Sequence, residues 1–180
     1  EAVHRCSNKS CSSRGLESLI HWVGSALEVE GVGEQFTRRL WDEGLVRSIP
    51  DLYRLKVDQI AQLSGYGVLS ATNAVESISR SRAQPLHRVL FGLNIRNVGR
   101  VVARSLEDHF ESIESLAAAS VEEIEQVDGI GSDRAQAVVE WFADDENLAL
   151  VTELSELGMI LERQKVISSE TIIGDELKGR

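Results

Sequence analysis

Apolar residues recur along the chain at intervals of three and four, and short turns of the form Gly-apolar-Gly interrupt them. The first example is Gly31-Val32-Gly33, which is followed four positions on by the small residue Thr37 and then by Leu40. Residues three or four apart lie on one face of an α-helix, so this spacing predicts a helix with a buried apolar face. The pattern predicts a unit of a short helix, a tight turn and a second helix packed closely on the first.

This unit occurs four times at nearly regular intervals. The turns begin at residues 31, 65, 97 and 129, and the small residues after them are Thr37, Ala71, Ala103 and Ala135. The segments Ser48–Gly67 and Ser112–Gly131 align without a gap at an offset of 64 residues, with eight identical positions. Such a match indicates an internal duplication. The sequence therefore predicts an all-α protein in which four helix-hairpin-helix units form two tandem pairs.

Composition agrees with a helical, globular chain. Hydrophobic residues make up 42% of it and there are only two prolines. Ser120 followed by Glu123 has the capping-box pattern that begins a helix. No apolar run approaches the roughly 20 residues needed to cross a bilayer. Aromatic residues at helical spacing, such as Trp22 and Phe36, are expected to pack in the core rather than to stack on bases.

Charge is distributed unevenly along the chain. The net charge of −10 argues against a nucleic-acid partner if the chain is taken whole. Residues 80–109, however, carry six arginines against Glu107 and Asp108, a local balance of +4. Exposed charges are screened beyond about 8 Å at physiological salt, so a ligand responds mainly to the local patch. The window 80–109 is thus the best candidate for contact with an anion.

The turns themselves have the chemistry of a phosphate site. Glycine adopts positive φ without a Cβ clash, and Asn97, which replaces the first glycine of the third turn, can adopt it too. The turn leaves backbone N–H groups exposed at the N-terminus of the next helix, where the helix dipole favours an anion. The predicted contacts are backbone amides at Gly31, Gly33, Gly65, Gly67, Asn97, Gly99, Gly129 and Gly131, with the side chains of Arg96, Arg100 and Arg104.

A structural interpretation of the same turns stays open. A lone Gly-x-Gly is usually only the end of a helix, and many helix pairs of this kind dock proteins. The fourth unit is acidic, with Asp128 and Asp133 beside a single basic residue, Arg134, and it is a candidate for that role. Arg38 and Arg39 in the first unit are weaker candidates for phosphate contact.

Several segments resemble bacterial NAD-dependent DNA ligases. The segment IRNVGRVVARSLEDHF, residues 95–110, resembles the third hairpin of that family, and residues 30–55 resemble its first hairpin and the following helix. CSNKSC followed by SLIHW resembles the second half of the family's four-cysteine zinc module. LKGR near the end resembles the opening of the BRCT domain that follows in these ligases. The order of these segments is more specific than any one of them.

The resemblance implies a domain layout and a set of cofactors. It implies a partial zinc module in residues 1–22, a DNA-binding helix-hairpin-helix domain in residues 23–162 and a linker in residues 163–180. Cys6 and Cys11 would supply half of a four-cysteine zinc site, which is incomplete in this sequence. The family's adenylation chemistry uses NAD and magnesium, and we expect it to reside in other domains. No Lys-x-Asp-Gly motif occurs here, so the isolated chain is expected to be inactive.

The resemblance implies sequence-independent binding of duplex DNA, at nicks sealed during replication and repair, by a monomeric, cytoplasmic, nucleoid-associated bacterial enzyme. The family pattern also has a basic residue, absent here, in the segment HWVGSALEVEG, which weakens the case for DNA contact by residues 21–28. The alternative is a non-enzymatic helix-hairpin-helix module that docks proteins or branched DNA in repair or recombination.

Overall fold

The structure, a computed structural model, describes residues 12–165, and its regular secondary structure there consists of helices joined by turns. The first half contains α1 Ser12–His21, a π-helical segment Trp22–Ala26, α2 Glu34–Asp42, α3 Ile49–Leu52, α4 Val57–Ala61 and α5 Val68–Arg80. After a 3-10 turn, the second half contains α6 Leu86–Gly92, α7 Arg100–Phe110, α8 Ile113–Ala117, α9 Val121–Glu125, α10 Ser132–Ala143 and α11 Asp145–Glu156. No strand occurs in residues 12–165, only an isolated bridge between Ser112 and Glu162. The predicted all-α class is confirmed.

The duplication is visible in the helix boundaries. α3, α4 and α5 begin 64 residues before α8, α9 and α10 respectively. Ile60 in α4 and Ile124 in α9 occupy equivalent positions, and both side chains are fully buried. Ser120 accepts a hydrogen bond from the Glu123 N–H at 3.2 Å, and the Glu123 carboxylate accepts one from the Ser120 N–H at 2.7 Å. The predicted capping box therefore begins α9.

A buried polar network ties the first half of the chain together. Trp22 is fully buried, and its indole N–H donates to the Tyr53 hydroxyl at 3.0 Å. The same hydroxyl lies 2.9 Å from the Ser81 hydroxyl, which donates to the Ile78 carbonyl at 2.6 Å. Burial raises the pKa of Tyr53, so the phenol stays protonated at neutral pH. Trp22 and Phe36 are buried, as the helical spacing predicts.

The two halves meet where α6 crosses the π-helical segment. Gly92 in α6 lies against Trp22 so closely that a Cβ there would be 2.7 Å from Cε3 of the indole ring. It would also be 3.1 Å from the Cβ of Ala26. The His21 imidazole hydrogen-bonds the Phe91 carbonyl at 2.9 Å beside this crossing. The side chains of Trp22 and Ala26 thus pack directly on the backbone of α6 at Gly92. This contact holds the π-helical segment, which precedes the first turn, against the helix that precedes the third turn.

The C-terminal part of the described chain returns to the core. The last helix ends at Glu156, before the end of the expected helix-hairpin-helix domain at residue 162, and Gly158 adopts φ +90°. Beyond it, the Ile160 N–H donates to the Arg82 carbonyl at 3.0 Å. The Leu161 carbonyl accepts a hydrogen bond from the Ile113 N–H at 2.9 Å. Of the helices in residues 12–165, none is long and apolar enough to span a membrane.

The crossing at Gly92 predicts a sharp steric requirement. Gly92→Ala should lower the free energy of unfolding by about 1–3 kcal/mol, the usual range for overpacking, because the indole and Ala26 cannot both move away. Gly24→Ala is the matched control, since Gly24 is also helical but a Cβ there meets nothing within 4 Å. Urea unfolding followed by circular dichroism measures both. Equal stability of the two variants would show that the crossing is looser than described.

Candidate nucleic-acid interface

The four turns between helices have the same backbone geometry. Each is a β-turn closed by an N–H to carbonyl hydrogen bond of 3.0–3.1 Å, joining Val32 to Val29, Tyr66 to Leu63, Val98 to Ile95 and Ile130 to Val127. The third residue has positive φ in every case: +75° at Gly31, +88° at Gly65, +65° at Asn97 and +80° at Gly129. Positive φ at this position is characteristic of a type II turn. The prediction that Asn97 substitutes for a turn glycine is borne out by its φ.

Apolar residues on both sides of the positive-φ position anchor these turns. In the third turn, for example, Ile95 and Val98 are both buried. The exception is Tyr66 in the second turn, which is half-buried and whose ring centroid lies 5.1 Å from that of Phe36. That contact joins the second turn to the first. The turns are therefore held from within the core, while their remaining backbone faces outward.

The second glycine of each turn has a different backbone conformation from the first position. Gly33, Gly67, Gly99 and Gly131 have φ between −120° and −87°. Any residue can adopt this extended conformation. A Cβ at any of the four would also meet nothing within 4 Å. Neither backbone strain nor internal packing thus requires glycine at these positions, and the space beside them is open.

The helices that follow these glycines have uncapped N-termini. No side chain hydrogen-bonds the free amides of α2, α5, α7 or α10. By contrast, Ser112, Ser120 and Asp144 cap α8, α9 and α11. The first N–H groups of a helix have no partner within the helix and carry the positive end of its dipole. The four turns therefore present unpaired donors that could bind an anion.

The small residues after the turns are buried. Thr37, Ala71, Ala103 and Ala135 are all fully buried. Their N–H groups donate to the carbonyl of the second glycine at 2.9–3.0 Å, which closes the first turn of each helix. Their burial agrees with the prediction that a small residue is needed at this position.

The three predicted arginines of the third unit lie around its turn, and all are exposed. Arg96 is the second residue of the β-turn. Arg100 begins α7, where its guanidinium donates to the Ser25 carbonyl at 2.7 Å and lies 4.8 Å from the centre of the Phe91 ring. Arg104, one turn further on, has its closest described contact with the His87 ring nitrogen, at 3.5 Å. Arg96 and Arg104 are thus held more loosely than Arg100.

Sequence reasoning missed the partner of His87. Its Nδ1 lies 2.5 Å from a carboxylate oxygen of Glu107, a charged residue that is only 8% exposed. Glu107 is thus largely shielded from solvent, and the His87 ring contacts both Glu107 and Arg104. The two residues are twenty positions apart and lie on different helices, so no local sequence pattern predicts their contact.

The remaining arginines of the basic window have partners within the protein. Arg82 stacks over the Tyr53 ring and donates to the Ser79 hydroxyl at 2.6 Å. Arg88 forms an ion pair with Glu28 at 3.1 Å. The available positive charge is therefore concentrated at the third turn and the start of α7.

The turns lie in two neighbouring pairs, each with a shallow cleft. One cleft is lined by residues 33–36 and Arg38 of the first unit and Tyr66 of the second. The other is lined by Asn97 of the third unit and residues 131–134 of the fourth.

The four helix N-termini differ in whether an acidic residue lies in the first turn of the helix. Glu34 lies in the first turn of α2 and Asp133 in the first turn of α10, whereas α5 and α7 have no acid there. In the first unit, Arg38 bonds to Glu34 at 2.8 Å and Arg39 pairs with Glu43 at 3.2 Å. In the fourth unit, the Arg134 guanidinium donates to the Gly129 carbonyl at 3.1 Å. The N-termini of α5 and α7 are thus the more favourable for an anion.

The predicted zinc ligands cannot be located in the same way. Cys6 and Cys11 lie outside the described residues. Within residues 12–165, no three His, Cys, Asp or Glu side chains lie close enough together to hold a metal ion. The zinc site stays a prediction.

Comparison with known proteins agrees with this geometry. A family model described as a helix-hairpin-helix motif matches residues 88–151, which contain the third and fourth turns, so the chain contains a helix-hairpin-helix domain. The chain is 44% identical over 160 residues to a DNA ligase of Rubrobacter xylanophilus, covering 88% of this chain and 23% of the relative. It is 42% identical over 160 residues to a DNA ligase of Bacillus subtilis, covering 88% and 24%.

A third DNA ligase, from Oceanobacillus iheyensis, is 36% identical over 181 residues, which covers the whole of this chain and 27% of the relative. The chain corresponds to the helix-hairpin-helix region of bacterial DNA ligases. It spans about a quarter of the length of these relatives.

The positive φ of Asn97 predicts a residue-specific effect on stability. Asn97→Ala should lower the free energy of unfolding by roughly 1–2 kcal/mol, because a Cβ without a local polar partner is strained at positive φ. Asn97→Gly should keep the stability or slightly raise it. Thermal unfolding of the two variants and the parent tests this. Equal losses from both would mean that the asparagine side chain, rather than its backbone, holds the turn.

Proposed function

We propose that this chain binds duplex DNA through its phosphates, as the helix-hairpin-helix region of an NAD-dependent DNA ligase that seals nicks. The observation that carries the proposal is the open space at the second glycine of each turn. Gly33, Gly67, Gly99 and Gly131 meet neither a steric nor a conformational need of the chain itself. When neither packing nor backbone conformation requires a glycine, an external group that approaches the backbone closely explains the lack of a side chain.

The chemistry of the turns favours phosphate as that group. The amides behind each glycine are uncapped and lie at the positive end of a helix at least nine residues long. Phosphate oxygens accept hydrogen bonds from such amides and interact favourably with the dipole. The loosely held Arg96 and Arg104 add positive charge beside the third turn. Contacts of this kind carry no information about base sequence, so binding is sequence-independent.

The arrangement of the turns supports two helix-hairpin-helix pairs. The first and second turns share one cleft, and the third and fourth share the other. The repeat at 64 residues relates much of one half to the other. Each pair would contact one backbone of the duplex, and together they would hold both strands. In this arrangement residues 23–162 form the DNA-binding domain, with the backbone amides of all eight turn positions available to phosphates.

The chemistry of ligation belongs to residues that this sequence does not contain. The resemblance implies a nucleotidyl lysine that uses NAD and magnesium, and the sequence has no Lys-x-Asp-Gly motif. In this proposal the chain contributes binding rather than catalysis, and Cys6 and Cys11 contribute two ligands to a structural zinc. The proposed setting is a monomeric bacterial enzyme that acts on nicked DNA in the cytoplasm.

One observation favours a different role for the fourth unit. Asp133 lies at the N-terminus of α10, and the guanidinium of the exposed Arg134 donates to the Gly129 carbonyl of its own turn. A carboxylate at this position repels phosphate. The fourth hairpin is thus a candidate for protein docking, which is the alternative that the sequence left open.

Gly99→Ser separates DNA binding from stability. Serine is a preferred N-cap residue and can adopt the extended backbone of Gly99, so stability should be unchanged or raised by a few tenths of a kcal/mol. The new hydroxyl would nevertheless bond to the amides that phosphate needs, and its Cβ would occupy the open space. We expect the Kd for duplex DNA, measured by fluorescence anisotropy, to rise roughly tenfold. Gly131→Ser, at the turn already occupied by Asp133, should have a smaller effect. Unchanged affinity of Gly99→Ser would remove the main support for the proposal.

Charge reversal tests where the phosphate contacts are concentrated. Arg104→Glu should weaken DNA binding and flatten the plot of log K against log salt by about one unit, since each phosphate contact contributes a slope of about −0.9. Arg134→Glu is the control, because Arg134 is also an exposed arginine in the second helix of a hairpin but is bonded to its own turn. Titrations at several salt concentrations give both slopes. The assignment is wrong if Arg134→Glu changes the slope as much as Arg104→Glu does.

A further inference from the structure

Exposed apolar side chains are concentrated beside two of the four turns. In residues 12–165 the large hydrophobic residues that remain exposed are Val68, Leu69, Val101, Leu148 and Ile160. Three of these five occupy the first or second position of α5 or α7. Leu69 is 75% exposed and Val101 is 81% exposed, and each is the second residue of the helix after its glycine. Isolated exposed apolar residues are ordinary, but two at one structural position in different hairpins require a reason.

The equivalent positions in the other two units are polar. Gln35 follows the first turn and Asp133 follows the fourth. An apolar residue is thus present at this position in the two helices whose first turn lacks an acid, and absent from the two that have one. In the second unit and in the third, an uncapped helix N-terminus lies next to an exposed apolar side chain. The first and fourth units do not have this combination.

We propose that Leu69 and Val101 pack against deoxyribose rings next to the phosphates bound at the second and third turns, and so favour DNA over RNA. The proposal rests on the function proposed above. A phosphate at the amides of Gly67 or Gly99 has a sugar on either side, so a side chain two residues further along the chain lies within reach of one. The sugar of DNA has only C–H groups at its 2′ position, whereas ribose carries a hydroxyl.

The difference between the two sugars supplies the selectivity. Leucine and valine gain free energy when they cover the apolar 2′ side of deoxyribose. Against ribose, the same contact would remove water from the 2′-hydroxyl and offer it no hydrogen-bond partner, which is unfavourable. The backbone amides and arginines, by contrast, bind phosphates of either nucleic acid. The apolar pair is therefore an element of this interface that responds to the 2′ group itself, in addition to the different shape of an RNA duplex.

The test compares Leu69→Gln and Val101→Thr on duplex DNA and on duplex RNA of the same sequence. Glutamine is the residue that the first unit carries at this place, and threonine has nearly the shape of valine. We expect each substitution to raise the Kd for DNA about threefold to tenfold, to leave the Kd for RNA nearly unchanged, and to narrow the preference for DNA. The salt slope should not change, because no ionic contact is lost. Leu148→Gln is the matched control, since Leu148 is exposed on α11, a helix that is capped by Asp144 and does not follow a glycine turn.

The possible outcomes separate this proposal from the one on which it rests. If the parent chain binds DNA and both variants bind it equally well, the sugar contact is wrong and phosphate binding stands. If the variants lose affinity for DNA and RNA to the same extent, the contact exists but does not involve the 2′ position, and the selectivity is wrong. If the parent chain does not bind duplex DNA, both proposals fail. Circular dichroism of each variant confirms that the helices are intact.

Discussion

The left-handed residue at the third position of each β-turn is the constraint on which the rest of this structure depends. It reverses the chain within four residues, and the buried apolar residues on either side anchor that reversal to the core. The following helix then begins at the second glycine, and its small residue, such as Ala103, is fully buried. The direction of the exposed amides is a consequence of this packing. No further side chain is needed to orient them.

The same geometry divides the two glycines of each turn between fold and function. Gly129, with φ +80°, is required by the backbone, and Asn97 shows that another residue able to adopt positive φ can replace it. Gly131 has extended φ and open space around it, so the folded chain does not require glycine there. When a position is free of internal constraints and still lacks a side chain, a closely approaching ligand is the simplest physical reason.

Local patterns predicted the helices, the four turns and the buried small residues, because each depends on residues a few positions apart. The capping box at Ser120 and the positive φ of Asn97 belong to the same class. The contacts that give the arginines their different roles could not be predicted in this way. Arg100 bonds to Ser25, 75 positions away in sequence, and Gly92 lies against Trp22. The sequence also did not show which glycine of a turn needs positive φ; in the second, extended position, Gly99 has φ −87°.

The acidic character of the chain is compatible with a polyanionic partner because the acids are not distributed evenly over the turns. Within residues 12–165 the N-termini of α5 and α7 carry no acid in their first turn, and Glu107, one of the two acids of α7, is buried against His87. Exposed charges further away than about 8 Å are screened at physiological salt. The acidic α10 and α11 therefore oppose binding mainly at low ionic strength and where they lie close to the duplex.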